Sequence, residues 1–171
     1  MEKLIAVLAL WRDSANHMER TLEQLSEQEK SLSYKYSFVY SFYENDSKDN
    51  TVEILTNWLN GRIGFLNSEK RGDPNWGSIA FKRRTQYMAE YRNLALEALV
   101  KYKYSYLFVI DTDIVYKSNF LEQLINKLEA NSKLGIITPN TIQLVPDQFG
   151  GNSEYSYFDS WALIDSNGNH G

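Results

Sequence analysis

The 171-residue chain has no cysteine, which excludes disulfides, thiolate catalysis and cysteine-based zinc sites. Its nine glycines form neither a Gly-x-Gly-x-x-Gly fingerprint nor a phosphate loop, arguing against dinucleotide oxidoreductases and P-loop enzymes. A basic excess is missing too: 18 Lys and Arg stand against 22 Asp and Glu, a net charge of −4, so no nucleic-acid partner is expected. No long apolar run exists near the start. Leu4 to Trp11 is too short to cross a bilayer. Glu2 and Lys3 before it, and no small-residue cleavage pattern after it, do not suit a signal peptide. The expectation is a cytoplasmic protein without a membrane segment. With no repeat, low-complexity tract or linker, residues 1–171 read as a single domain.

What is present alternates between strand and helix. Leu4 to Trp11 reads as a strand buried on both faces, followed by a helix capped by Ser14 or Asn16, with Met18, Leu22 and Leu25 inward. A second strand spans Tyr36 to Tyr43, and Asp49 or Asn50 caps a helix carrying Val52, Leu55, Trp58 and Leu59. A short strand over Arg62 to Leu66 precedes a loop over Asn67 to Ser78. The apolar spacing of Met88, Tyr91, Ala95, Leu96 and Leu99 predicts a helix from about Phe81 to Tyr102. Tyr106 to Ile110 reads as another buried strand. A helix through Leu121, Leu124, Ile125 and Leu128 follows, then strands at Leu134 to Ile142 and Phe158 to Ile164. The fold class is α/β, a mostly parallel sheet with helices on both faces. The twelve Tyr and four Trp are assigned mainly to packing, with a few free to stack on sugar or base rings.

Ligands of such sheets bind beyond the carboxyl ends of the strands. Three polar clusters fall there: Arg12-Asp13, Glu44 to Asp49, and Asp111-Thr112-Asp113. Along an extended strand, residues two apart point the same way, about 6.5–7 Å from each other. Two carboxylates about 5 Å apart repel by roughly 3 kcal/mol at an effective dielectric near 20. A divalent cation reverses that sign, and hard oxygen ligands suit Mn²⁺ or Mg²⁺. An ion at Asp111 and Asp113 would bridge to a pyrophosphate. The plain alternative is a solvated turn.

Glu44, Asn45 and Asp46 offer acceptors for a base N–H or ribose hydroxyls, while Ser47, Asp49 and Thr51 are explained by turn and cap formation. On the long helix, Arg84 and Arg92 are eight apart and share a face about 12 Å long, with Asn93 beside it. Their guanidinium forks suit a diphosphate or a metal-site carboxylate, although a solvated face or pairing with Glu90 or Glu97 also explains them. Asp159 lies between aromatics, where burial raises a carboxyl pKa and favours general-base work; Trp161 can stack on a sugar. His170 is a candidate third metal ligand.

The ordered set Tyr43 to Thr51, Tyr87 to Leu99, Phe108 to Asp113 and Phe158 to Trp161 resembles GT-A fold glycosyltransferases, nearest to the capsule-associated fungal α-mannosyltransferases. The resemblance covers Leu4 to Ile164. It implies a nucleotide-diphospho-sugar transferase, Rossmann-like in architecture, using a UDP- or GDP-linked sugar with Mn²⁺ or Mg²⁺ and a glycan or glycoprotein acceptor. By that resemblance Asp111, Thr112 and Asp113 form the metal and nucleotide-sugar motif. Glu44, Asn45, Asp46 and Arg12 line the nucleoside, and Arg84, Arg92 and Asn93 face the donor. Asp159 and Trp161 lie towards the acceptor. Members often continue into acceptor-binding elements and a metal-binding His, so this chain is expected to lack some of them. Two other readings stay open: a non-catalytic nucleotide-sugar or glycan binder on the same scaffold, and a haloacid-dehalogenase-like phosphatase, whose nucleophile motif is also Asp-x-Asp after an apolar strand.

Overall fold

The computed structural model describes residues 3–74, 82–139, 142–145 and 154–157. The chain divides into two compact units, residues 1–122 and 123–171. The first holds a four-stranded, all-parallel sheet in the order β3-β2-β1-β4. Its strands are β1 (Lys3–Trp11), β2 (Tyr36–Asn45), β3 (Gly64–Glu69) and β4 (Tyr106–Ile110). Helices α1 (Met18–Leu32), α2 (Thr51–Leu59) and α3 (Lys82–Glu97) supply the crossovers. A fourth helix, α4 (Phe120–Ala130), begins in the first unit. The second unit contains an antiparallel pair, β5 (Ile142–Val145) with β6 (Glu154–Tyr157).

The two-residue pleat sorts the central strands. Ala6 and Leu8 of β1, with Val39 and Tyr43 of β2, pack under Tyr91, Ala95 and Leu99 from α3 and the turn after it. The opposite face carries Tyr40 and Phe42, against which α2 sets Trp58 at ring distances of 4.8 and 5.7 Å. Trp58 Nε1 donates to Ser26 Oγ of α1, and the Arg62 guanidinium lies 4.1 Å from the Trp58 ring while pairing with Glu29, so α1 and α2 share that face. With helices on both sides, Ile5 through Ala9 are at most 2% exposed, as a both-faces-apolar run requires.

Several boundaries differ from the sequence expectation. The third strand begins two residues later and runs three further. Gly61 adopts a left-handed φ of 81° and Arg62 N–H donates to Leu59, so residues 60–63 are the exit from α2. At Gly64 a Cβ would stand 2.4 Å from Leu59 Cδ2, so the strand starts close beneath the helix, where a larger residue would make the Leu59 side chain shift. Asn67, Ser68 and Glu69 look like loop residues, yet they pair with Tyr43, Glu44 and Asn45 on the sheet edge. Helix α3 stops at Glu97 rather than Tyr102. The backbone tightens there, with Leu99 and Tyr102 N–H donating three residues back, although Leu99 keeps its core position.

β4 is half open rather than buried: Leu107 is 39% and Val109 47% exposed, because β4 pairs only with β1 among the described residues. No strand covers Leu134 to Pro139. Pro139 has no N–H to give a ladder, and the described strand begins at Ile142. The expected strand at Phe158 to Ile164 lies outside the described residues. No helix among the described residues is long and apolar enough to cross a membrane.

Candidate functional site at the carboxyl edge of the sheet

The register puts three chain segments on one edge. Ala9 pairs with Ile110, Trp11 with Glu44, and Asn45 with Glu69, so Arg12, Asp46 and Asp111 all leave their strands at the same end. β1 has its sequence successor β2 on one side and β4 on the other. This reversal of strand order is where open parallel sheets leave a crevice.

One flank of that edge is closed by reciprocal bonds between the turns after β1 and β2. Asp13 N–H donates to Ser47 Oγ at 3.0 Å, and Lys48 N–H returns a bond to Asp13 Oδ1 at 2.7 Å. Ser14 N–H reaches Thr51 Oγ1, and Ala15 N–H reaches Asp49 Oδ2. Asp13 and Asp46 take left-handed φ values of 46° and 55°, which their short polar side chains tolerate better than most. Asp49 also accepts from Thr51 N–H at the start of α2, the turn-forming role expected for it.

Glu44 is 1% exposed, and its two carboxylate oxygens accept from Ser47 N–H and the Ser68 hydroxyl. Its observed task is to shape the turn from within. Asn45, also buried, donates to Asp46 Oδ2, and Arg71 N–H donates to Asp46 Oδ1. Partial desolvation pushes the Asp46 carboxyl up, but the bonds from Asn45 and from the backbone of Asp73 and Arg71 outweigh it, leaving its pKa below the ordinary value. Asp46 is therefore an ionised acceptor at the rim.

Arg12 crosses to the loop after β3. Its guanidinium donates to Pro74 O at 2.8 Å and to Asp73, which also takes the Lys48 ammonium. The Lys48 hydrogen bond and charge hold the Asp73 carboxyl below its usual range. Arg71 forms a second node: it pairs with Glu69 at 2.7 Å and Glu90 at 3.0 Å, donates to Tyr43 Oη, and lies 5.7 Å from the Tyr91 ring. Tyr43 and Tyr91 stack at 4.8 Å, and burial pushes the Tyr43 phenol up to about 12 against the pull of Arg71. Lys48, Arg71 and Asp73 were missed by sequence reasoning. Gly72-Asp73-Pro74 reads only as a turn, and no local signal says that it meets Arg12.

The other flank is open. β4 ends at Ile110, and Thr112 and Asp113 form a turn, so the same-side geometry of an extended strand does not extend through Asp111 and Asp113. Asp111, its side chain 65% exposed, has the Arg92 guanidinium 3.3 Å away; Asp113 is exposed as well. Arg84, on the same helix, has no ion-pair partner among the described residues, and Asn93 is exposed.

Among the described residues no group of three or more His, Cys, Asp or Glu is assembled for a metal. Asp111 and Asp113 are exposed carboxylates of the hard-oxygen type that Mg²⁺ or Mn²⁺ takes together with substrate phosphates and water. They do not form a closed protein cage. Asp159, Trp161 and His170 lie outside the described residues.

Residues 12–154 match glycosyl transferase family 2. The chain belongs to this family. Its GT-A fold is the parallel sheet and flanking helices described above. The family 2 domain is similar to crystal structures of TarS from S. aureus. Against TarS it has 14% identity and a TM-score of 0.52, over 85% of this chain and 21% of TarS. Against TarS 1-349 in complex with UDP the values are 14% and 0.53, over 86% of this chain and 40% of that one. The complex with UDP-GlcNAc gives 14% and 0.52, over 86% and 39%. The family 2 domain thus spans well under half of the TarS chains it matches, and at this identity the similarity shows the fold alone. No curated protein matches the sequence.

Proposed function

We propose that this domain transfers a hexose from a nucleotide-diphosphate sugar to a glycan or glycoprotein acceptor, with Mn²⁺ or Mg²⁺ at Asp111 and Asp113. The observation that carries the reading is the meeting of an ionised Asp46, a braced Arg12 and an open Asp111 at one sheet edge, beside the reversal in strand order. Membership of family 2 supports a nucleotide-sugar donor, and the UDP and UDP-GlcNAc bound to TarS make UDP the first base to test. GDP remains the other candidate. The resemblance of the ordered motifs to those of fungal α-mannosyltransferases is the ground for a mannose-like or rhamnose-like sugar.

In this reading Arg12, Asn45 and Asp46 line the nucleoside, with Glu44 and Asp73 holding that wall in shape. Asp113 would be the principal residue holding the metal, with Asp111 assisting or taking the ribose and Thr112 between them. A metal bound there supplies positive charge to the departing diphosphate. Arg92 and Arg84, with Asn93 alongside, direct donors at the same oxygens, stabilising charge that develops as the sugar C1 becomes oxocarbenium-like. Asp159 is assigned as the acceptor-side acid, acting as base if the reaction inverts. Trp161 stacks on the acceptor sugar, and His170 is the candidate third metal ligand; all three assignments rest on sequence position.

Thermal-shift and calorimetric titration against UDP, GDP and their sugars, with and without Mn²⁺, tests the reading. One nucleotide should stabilise the protein selectively, and only with metal. Asp113→Ala should lose that response with the fold intact. Equal binding by the variant and the parent would overturn the assignment.

A further inference from the structure

The segment after β4 that carries Asp111 and Asp113 has no ladder or helix of its own until α4 begins at Phe120. Unpaired carbonyls in such a stretch must find donors elsewhere. Here one face of α1 supplies them. Thr21 Oγ1 donates to Thr112 O at 2.5 Å, and Gln24 Nε2 donates to Tyr116 O at 2.5 Å. Gln28 Nε2 donates to Lys117 O and Ser118 O at 3.2 and 2.6 Å. Gln28 Oε1 accepts Leu121 N–H at 3.1 Å, so α4 is capped by a side chain from another helix. Positions 21, 24 and 28 recur at helical spacing along a single stripe. Thr21 and Gln28 are 0% and 1% exposed, and these bonds satisfy their side-chain polar atoms, as burial requires.

The geometry points to Thr21 as a positioning residue for the carboxylate pair, backed by Gln24 and Gln28. The inference rests on the donor and metal reading of Asp111 and Asp113. Thr112 stands between the two acids, so the bond to its carbonyl holds the Thr112–Asp113 peptide plane, from which Asp113 projects and beside which Asp111 lies. Gln24 and Gln28 hold the following residues and anchor the start of α4. Effects on ligand binding should therefore fall along the stripe from Thr21 to Gln28, while effects on stability should rise, because Gln28 makes three bonds and Thr21 one. A scaffold role alone would make the two effects run in parallel.

The test compares Thr21→Val, Thr21→Ser and Gln28→Leu with the parent chain. It reads thermal melting without ligand, amide hydrogen exchange over residues 111–121, and calorimetric affinity for UDP or GDP with Mn²⁺. Thr21→Val should melt within a few degrees of the parent, exchange faster around Thr112 and Asp113, and bind nucleotide with metal about five-fold more weakly, the net worth of one hydrogen bond. Thr21→Ser, which keeps the hydroxyl, should restore both. Gln28→Leu should melt lowest with the smaller change in affinity per degree lost. Unaltered exchange in Thr21→Val, or affinity losses that track melting across all three variants, would overturn the assignment. A parent chain that binds no nucleotide with metal would instead remove the donor reading, and with it the functional role of the stripe, whatever the exchange data show.

Discussion

The two flanks of the carboxyl edge use the same residue types to opposite ends. After β2, Glu44, Asp46 and Asp49 are acids whose oxygens meet N–H or hydroxyl donors from neighbouring turns and from β3. After β4, Asp111 pairs with Arg92 alone among the described residues, Asp113 is exposed, and the protein grips that segment by its backbone carbonyls instead. A buried carboxylate supplied with internal donors, as Glu44 is, is a structural element. One left open, on a backbone held from behind, is free to take charge from outside the protein. Acidic character alone does not separate the two; the count of satisfied oxygens does.

The sharpest way to break this contrast is Asp113→Ala. Removing an open acid should reduce sugar transfer on the order of a hundredfold or more, and chelation of Mn²⁺ should act the same way, with unfolding curves unchanged. An unchanged turnover rate, measured by nucleotide release, would place the chemistry elsewhere.

On the closed flank the effect should move to stability. Glu44→Ala strips acceptors from Ser47 N–H and the Ser68 hydroxyl and should cost about 1–3 kcal/mol, read from urea midpoints. If Asp113→Ala lost the same amount, the proposed division between flanks would fail.

Acid should distinguish the flanks next. The Asp46 and Asp49 carboxyls lie below the free-aspartate value of 3.8 because, in each, hydrogen bonds outweigh the opposing desolvation. A depressed folded-state pKa contributes stability that is complete above the unfolded value and disappears as pH falls through the folded one. Melting temperature should therefore be insensitive to these two groups from neutral pH down to about 5 and drop below about 4. Asp49→Asn should shallow that drop.

The smallest expected effect is on the open flank. Arg92→Ala removes a pairing whose side chains are 43% and 65% exposed, so stability should change by less than about 1 kcal/mol. Affinity for the nucleotide sugar should fall all the same. A large loss of stability would mean that Arg92 is part of the scaffold and not a donor-facing cation.

Composition and periodicity were enough for the broad architecture. The apolar run at Leu4 to Trp11, the spaced apolar positions of α1 to α3 and the polar residues after each strand determined a parallel α/β sheet with polar clusters at one edge. Burial on both faces and helical spacing are local properties that one stretch of chain records by itself. Where long-range pairing overrode local character, the reading slipped: polar Asn67 to Glu69 became strand by pairing with β2, and apolar Leu134 to Pro139 did not.

Only the tertiary structure decided which acids are satisfied and which are open, that Arg12 meets Asp73 across 61 residues, and that a stripe on α1 holds the Asp111 to Ser118 segment from about 90 residues away. Each is a donor finding an acceptor across the fold. Hydrogen-bond partners of that kind are set by how strands and helices stack, and spacing along the chain carries no record of them.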